Sequence, residues 1–126
     1  METKKNETAP EPTPDTILNL VAIAAGRCQF NGCNTPLFRS ALTMRTLKKQ
    51  NVAHIIGASK RGPRGGDPMP LSERSKIHNL MLTCPTCHGE VDNKKLAKKY
   101  PKDLLLTMKK EHEDRVATVT ATSPQH

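Results

Sequence analysis

Aromatic residues are nearly missing from this sequence: two Phe, one Tyr and no Trp stand among 126 residues. With an apolar fraction of 35%, a chain of single-domain length can bury only a thin core. Domains of that kind commonly need disulfides or metals as well. Long apolar runs are missing too. No stretch reaches the length of a membrane span, and the opening METKKNETAPEPTPDT lacks the apolar segment of a secretory signal. Those absences point to a cytoplasmic protein, in which thiols stay reduced and a cysteine pattern more often means metal than disulfide. The third absence is local. From Thr16 to Gly66 there is no acidic residue, while Arg27, Arg39, Arg45, Lys48, Lys49, Lys60, Arg61 and Arg64 all fall in that stretch. Added to a net charge of +8, this one-signed field favours a polyanion through counterion release over a merely soluble basic surface. Nucleic acid is the expected partner.

What is present falls into an order. Residues 1 to 14 hold three prolines and no apolar cluster, which predicts a disordered tail. Asp15 or Thr16 can cap a helix with Ile17, Leu18, Leu20, Val21 and Ile23 mostly on one stripe, and Gly26 stops it. Arg27 to Asn34 (RCQFNGCN) reads as a Gly/Asn-rich knuckle, and residues 41 to 50 as a short basic helix. Asn51 to Gly57 (NVAHIIG) has strand character, SKRGPRGGDPMP is loop, and Ile77 to Thr83 is the return strand. Pro85 suits the first turn of a helix running to about Lys99. Pro101 opens a final amphipathic helix with Leu104, Leu105 and Met108 inward. From about Ala117 the Thr/Ser-rich remainder reads as a flexible end or a linker to a missing domain, which leaves residues 15–116 as the folded domain. The fold class expected from this order is α+β.

Cys28 and Cys33 make C-x4-C, and Cys84 and Cys87 make C-x2-C after fifty intervening residues. Tetrahedral zinc takes four ligands at about 2.3 Å, which two short-spaced pairs on separate knuckles supply. Bridging the two thiols of a C-x2-C directly would strain the ring. A four-sulfur site has no open coordination position, so this zinc is expected to be structural.

Directly after the second pair come His88 and, four residues on, Asp92. On a helix that spacing stacks an imidazole and a carboxylate on one face, a donor mixture that suits Mg²⁺ or Mn²⁺. Alone, such a pair on a basic helix is usually a solvated face. His54 sits within an apolar strand, where an imidazole is either a satisfied histidine or a functional one. Asn79 opens the return strand and can hydrogen-bond backbone across the ribbon or orient His54.

Taken together, the order His54 … Asn79 … Cys84-x2-Cys87-His88-x3-Asp92 resembles the HNH motif in its zinc-bound form, and the nine-residue step from Asn79 to His88 matches that family's spacing. The words GRCQFNGC, AHIIGASKRGPRGG, NLMLTCPTCHGEVD and YPKDLLLTMKKEHE resemble the nuclease half of bacterial HNH effectors fused to a SAVED sensor domain in cyclic-nucleotide antiphage defence. The resemblance runs from about Ala22 to Glu113. It implies a small ββα-metal (His-Me finger) hairpin–helix core with zinc-stapled knuckles and flanking helices. It also implies a metal-dependent endonuclease acting on double-stranded DNA. In that scheme His54 is the general base, His88 and Asp92 hold Mg²⁺ or Mn²⁺, and Asn79 holds the hairpin and orients His54. Lys60, Arg61 and Arg64 grip the flanking phosphates. One active site cuts one strand, so a double-strand break implies a homodimer or two events, and an associated sensor domain would control activation.

The sequence departs from the family at Ala53. Many HNH enzymes carry Asp or His just before the general base, as a third metal ligand. With Ala53, either two protein ligands plus water and phosphate hold the cation, as Mg²⁺ tolerates, or the domain is a non-catalytic zinc-knuckle module that binds nucleic acid. A protein-interaction domain of RING or ribbon type fits less well, having no use for a paired H-x3-D beside the second knuckle.

Overall fold

The structure, a computed structural model, describes residues 8–37 and 51–121. The basic helix expected over residues 41–50, together with Arg39, Arg45, Lys48 and Lys49, lies outside the described residues. Within them the chain is α+β, with three α-helices and one two-stranded sheet.

The first helix, α1 (Pro14–Ile23), starts slightly earlier than the sequence suggested. Thr13, in extended conformation, accepts a hydrogen bond from the Thr16 backbone N–H at 3.1 Å, and Pro14 takes the first helical position. There its missing N–H costs nothing. Ala25 and Gly26, at φ 56° and 66°, end the helix in the left-handed region, and the Gly26 N–H returns to the Val21 carbonyl at 2.9 Å.

Strands β1 (Val52–His54) and β2 (Leu80–Leu82) pair antiparallel as Val52 with Leu82, Ala53 with Met81 and His54 with Leu80. Opposed residues share a face, so the ribbon separates two small cores. Ala53 and Met81 pack with Ile55, Val91, Tyr100, Leu105 and Met108; Val52, Leu80 and Leu82 pack with Leu20, Ala24 and Leu37. Both strands are shorter than the apolar runs suggested. Ile77–Asn79 forms a 3-10 turn; beyond His54 the Ile55 N–H still donates to the Asn79 carbonyl at 2.9 Å, and the Asn79 side chain then takes the place of backbone opposite Ile56.

Helix α2 (Pro85–Val91) follows β2, packs on β1, and ends well short of Lys99. Two contacts explain the stop. The Val91 carbonyl accepts from the Arg64 guanidinium at 2.7 Å, and Asn93 caps a separate 3-10 turn, Lys94–Leu96, by accepting from the Lys95 N–H. Helix α3 (Lys102–Thr120) buries Leu105, Met108, Lys109 and His112, a stripe at i, i+3, i+4 and i+7. Leu104, expected inward, falls beside that stripe and is 40% exposed. The helix also continues past Ala117, where a frayed end was expected.

The Gly/Pro loop between the strands is built rather than loose. Arg74, 1% exposed, donates to the carbonyls of Gly57, Gly65, Asp67 and Met69 at 2.8 to 3.1 Å. Residues 8–13, expected as tail, run along this loop: Thr8 bridges Ser59, the Ala9 N–H donates to Ala58 at 2.7 Å, and the Ser75 hydroxyl donates to the Pro10 carbonyl. Gly65 is where the loop closes on itself. A Cβ there would stand 2.4 Å from the Ser59 carbonyl oxygen and 2.6 Å from that of Lys60. Backbone atoms cannot swing aside, so Gly65→Ala is expected to cost about 2–3 kcal/mol as an overpacking defect, read as a lowered midpoint in urea unfolding.

No helix among the described residues is long and apolar enough to cross a membrane.

Candidate functional site

The two cysteine pairs meet because a polar side chain joins their segments. The Gln29 N–H donates to the Leu82 carbonyl at 2.7 Å, and the Leu82 N–H donates to Gln29 Oε1 at 2.9 Å. Gln29 thereby serves as a one-residue third strand on β2 and carries Cys28 up to Cys84. The first knuckle turns through Gly32 at φ 84° and Asn34 at φ 55°, and closes with Cys28 N–H to Thr35 and Cys33 N–H to Phe30. Cys84 caps α2, its sulfur accepting from the Cys87 N–H at 3.4 Å.

All four Sγ atoms lie within 4.8 Å of one another, and all four cysteines are free thiols. Cys33 and Cys84 are 3.8 Å apart at sulfur, close to the edge of roughly 3.8 Å that a tetrahedron with bonds near 2.3 Å requires. The cluster is thus compatible with a zinc site. Its electrostatics ask for a cation. Burial pushes the Cys28 thiol up to about 11, and burial with neighbouring sulfurs drives Cys87 up as well. Burial also acts to raise Cys33, but its hydrogen bonds with Thr35 and the other thiols outweigh that and pull it down to about 7. Four thiolates this close need a positive charge among them.

Beyond the cysteines, His54 ends β1 opposite Leu80, half-buried, with its Nε2 atom enclosed. Asn79 is 1% exposed. Its Oδ1 accepts from the Ile56 N–H at 2.8 Å, while its Nδ2 donates to the carbonyls of Ile56 at 2.9 Å and Arg74 at 2.8 Å. The amide therefore pairs with Ile56 as another strand would, and fixes the backbone two residues after His54. His88 is half-buried in the last turn of α2, and Asp92, exposed, follows as its C-cap with its N–H bonded to the His88 carbonyl at 2.8 Å. Among the described residues, the group of three or more metal-binding side chains gathered within 4.8 Å is the four cysteines. His54, His88 and Asp92 do not join such a group. The position before His54 is closed: Ala53 is 1% exposed, inside the core around Val91 and Tyr100.

The three basic residues expected at phosphates separate. Lys60 and Arg61 are exposed on the loop, and Lys60 borders a cleft of about 420 Å³ with Asp67 and Arg74. Arg64 turns inward instead. Its Nε donates to the Ile55 carbonyl, and its two terminal nitrogens donate to Tyr100 at 3.1 Å and Val91 at 2.7 Å. Burial lowers its pKa, opposed by the charge of Asp92. The residue holds φ 57°, unfavourable for a side chain with a Cβ, and the three anchors offset that strain. Arg64 is therefore a brace between the strand carrying His54 and the helix carrying His88, not a phosphate clamp.

Several site-supporting residues escape pattern reading. The Gln29 side-chain N–H₂ donates to Glu113 at 2.9 Å, and Glu113 also pairs with the buried Lys109, so the knuckle is tied to α3. His112 Nε2 meets the Ala24 carbonyl at 2.9 Å, joining α3 to the end of α1. The Gln and His lie within motif words, but their roles depend on contacts 84 and 88 residues away, for which spacing gives no signal. No family model matches the chain, and no curated protein matches it.

Proposed function

We propose that this protein is a metal-dependent endonuclease of the HNH type, hydrolysing phosphodiester bonds in double-stranded DNA, with zinc in the four-cysteine cluster. The observation that carries the reading is the continuity of ribbon and helix. His54 ends β1, Asn79 clamps the backbone just beyond it, and β2 runs through Cys84 and Cys87 into the helix bearing His88, which packs back on β1. That sequence of parts supports a ββα-metal reading of this small α+β fold.

His54, at the end of β1, is assigned to take the proton from the attacking water. His88 and Asp92 are the residues that would hold a divalent cation, and two protein ligands suit Mg²⁺, which keeps several waters. Such a cation supplies positive charge to the phosphate oxygens and the departing 3′ oxygen. Asn79 keeps the His54 strand in register while that proton moves. On this reading the chain is the cutting part of an antiphage effector whose sensor domain governs activation.

Plasmid nicking with Mg²⁺ or Mn²⁺ tests it, with EDTA and His54→Ala as controls. Cutting that needs the metal and falls about 10²–10⁴-fold in His54→Ala, while zinc content and melting stay unchanged, is the expected result. Equal cutting by the variant would remove His54 from the mechanism. A second reading, a zinc-knuckle module that binds nucleic acid without cutting it, is favoured by one observation, the apolar packing of Ala53 where a third ligand would stand. Duplex binding with no nicking under any divalent cation would establish it.

A further inference from the structure

Between α2 and α3 the chain runs NKKLAKKYPK, with no acidic residue from Asn93 to Lys102. Lys94, Lys95, Lys98 and Lys99 are all exposed, while Leu96 turns in against the core beside Tyr100. Three lysines elsewhere in the described structure find carboxylates, Lys102 with Asp67, Lys109 with Glu113 and Lys110 with Asp114, while Lys60 and Lys76 stand apart in the chain from one another and from this run. None of these four lysines joins an ion pair among the described residues, and Lys99 rests its ammonium 5.5 Å above the Tyr100 ring.

The segment is also held rigidly at both ends. Arg64 binds the carbonyls of Val91 and Tyr100, the residues that flank it, and the Tyr100 hydroxyl donates to Glu90 at 2.7 Å. Internally, Asn93 caps the turn, and the N–H groups of Lys99 and Tyr100 both return to Leu96. Four like charges on one short, braced segment repel one another, and an ordered polyanion relieves that repulsion while releasing its own counterions.

We propose that Lys94, Lys95, Lys98 and Lys99 form a preorganised platform for the phosphate backbone of duplex DNA, set directly beside Asp92. This deepens the nuclease reading by naming the surface that carries its substrate, and it takes the place of Arg64 in the phosphate-gripping set. Contacts of this kind position a duplex without reading its bases, so binding through the platform is sequence-independent.

The test is fluorescence anisotropy of a labelled 20-base-pair duplex with the zinc-loaded full chain, without Mg²⁺, across a salt series. The variant Lys94→Gln/Lys95→Gln/Lys98→Gln/Lys99→Gln is expected to bind about 100-fold more weakly or worse at 0.1 M salt. Its log–log salt slope should be shallower by about 2 to 4, since each phosphate contact contributes about 0.9. Its melting temperature should hold or rise, because like charges have been removed. An affinity and slope equal to wild type overturn the platform. Amine acetylation of the wild-type protein gives a reading free of any folding defect: the duplex should shield these four lysines and leave Lys110 reactive, and equal labelling with and without duplex overturns the proposal. Wild type that binds through the platform yet never nicks plasmid would sink the nuclease reading and leave the platform standing.

Discussion

Serine in place of Cys28 is expected to abolish the cooperative unfolding transition of this domain at 25 °C. Cys28 is fully buried, so its replacement both removes one of the four proposed zinc ligands and puts a hydroxyl where the surroundings are built for sulfur. Structural zinc contributes about 10–16 kcal/mol of apparent binding energy in small zinc domains, against a typical domain stability of about 5–15 kcal/mol. The two thin cores on either side of the ribbon cannot cover that loss. The damage also spreads along a defined route: Gln29, next to Cys28, donates its N–H to Leu82, accepts the Leu82 N–H at its side-chain oxygen, and donates from its side chain to Glu113 on α3. Loss of the knuckle thus frees an edge of β2 and one tie to α3 together. Zinc content by mass spectrometry and thermal melts by circular dichroism check the prediction, and a chelator titration of the wild-type protein should reproduce the same loss. A serine variant that keeps one zinc per chain and melts like wild type would show that the cluster holds no structural ion.

That cluster was the most legible part of the molecule, since C-x4-C and C-x2-C fix their own local turns and need only to be brought together. The ribbon was legible as well, because β-branched and apolar runs around His54 and Leu80 advertise strands, and the ladder pairs them. Less of the remainder was open to reading. The strand ends at His54 and Leu80 depend on one amide side chain that pairs with Ile56 in place of backbone, and the early stop of α2 depends on a guanidinium from a loop 27 residues away. Arg64 was expected to grip phosphates and Arg74 carried no expectation, and instead the two brace the Gly/Pro loop, donating to seven backbone carbonyls between them. Periodicity reports which face of an element is apolar; it carries no record of a long side chain turning back to satisfy carbonyls. The same blindness explains residues 8–13, whose prolines suggested a tail and whose backbone is held by Ala58 and Ser75.

Arg64→Ala is expected to lower both stability and cutting, and in a pattern that separates bracing from phosphate binding. Three carbonyls, on Ile55, Val91 and Tyr100, lose a charged donor, and each hydrogen bond to a charged group contributes about 1.5–3 kcal/mol. Water can reach part of this half-buried site, so a total loss of about 4 kcal/mol is the expected size. Ile55 follows His54 and Val91 precedes Asp92, so without the brace the proposed general base and the proposed cation ligands no longer share one fixed frame. Displacements of about 1 Å in reacting groups can cost about 10²-fold in rate. Nicking should therefore fall at least about that far at temperatures where the variant remains folded. Duplex affinity measured without Mg²⁺ should fall less than in the four-lysine variant, with the salt slope nearly unchanged, because Arg64 reaches carbonyls rather than phosphates. Lysine at this position should not rescue the rate, since one ammonium cannot span three diverging carbonyls as a planar fork does. A salt slope that drops by about one in Arg64→Ala, with stability and rate near wild type, would instead mean that Arg64 swings out to bind phosphate.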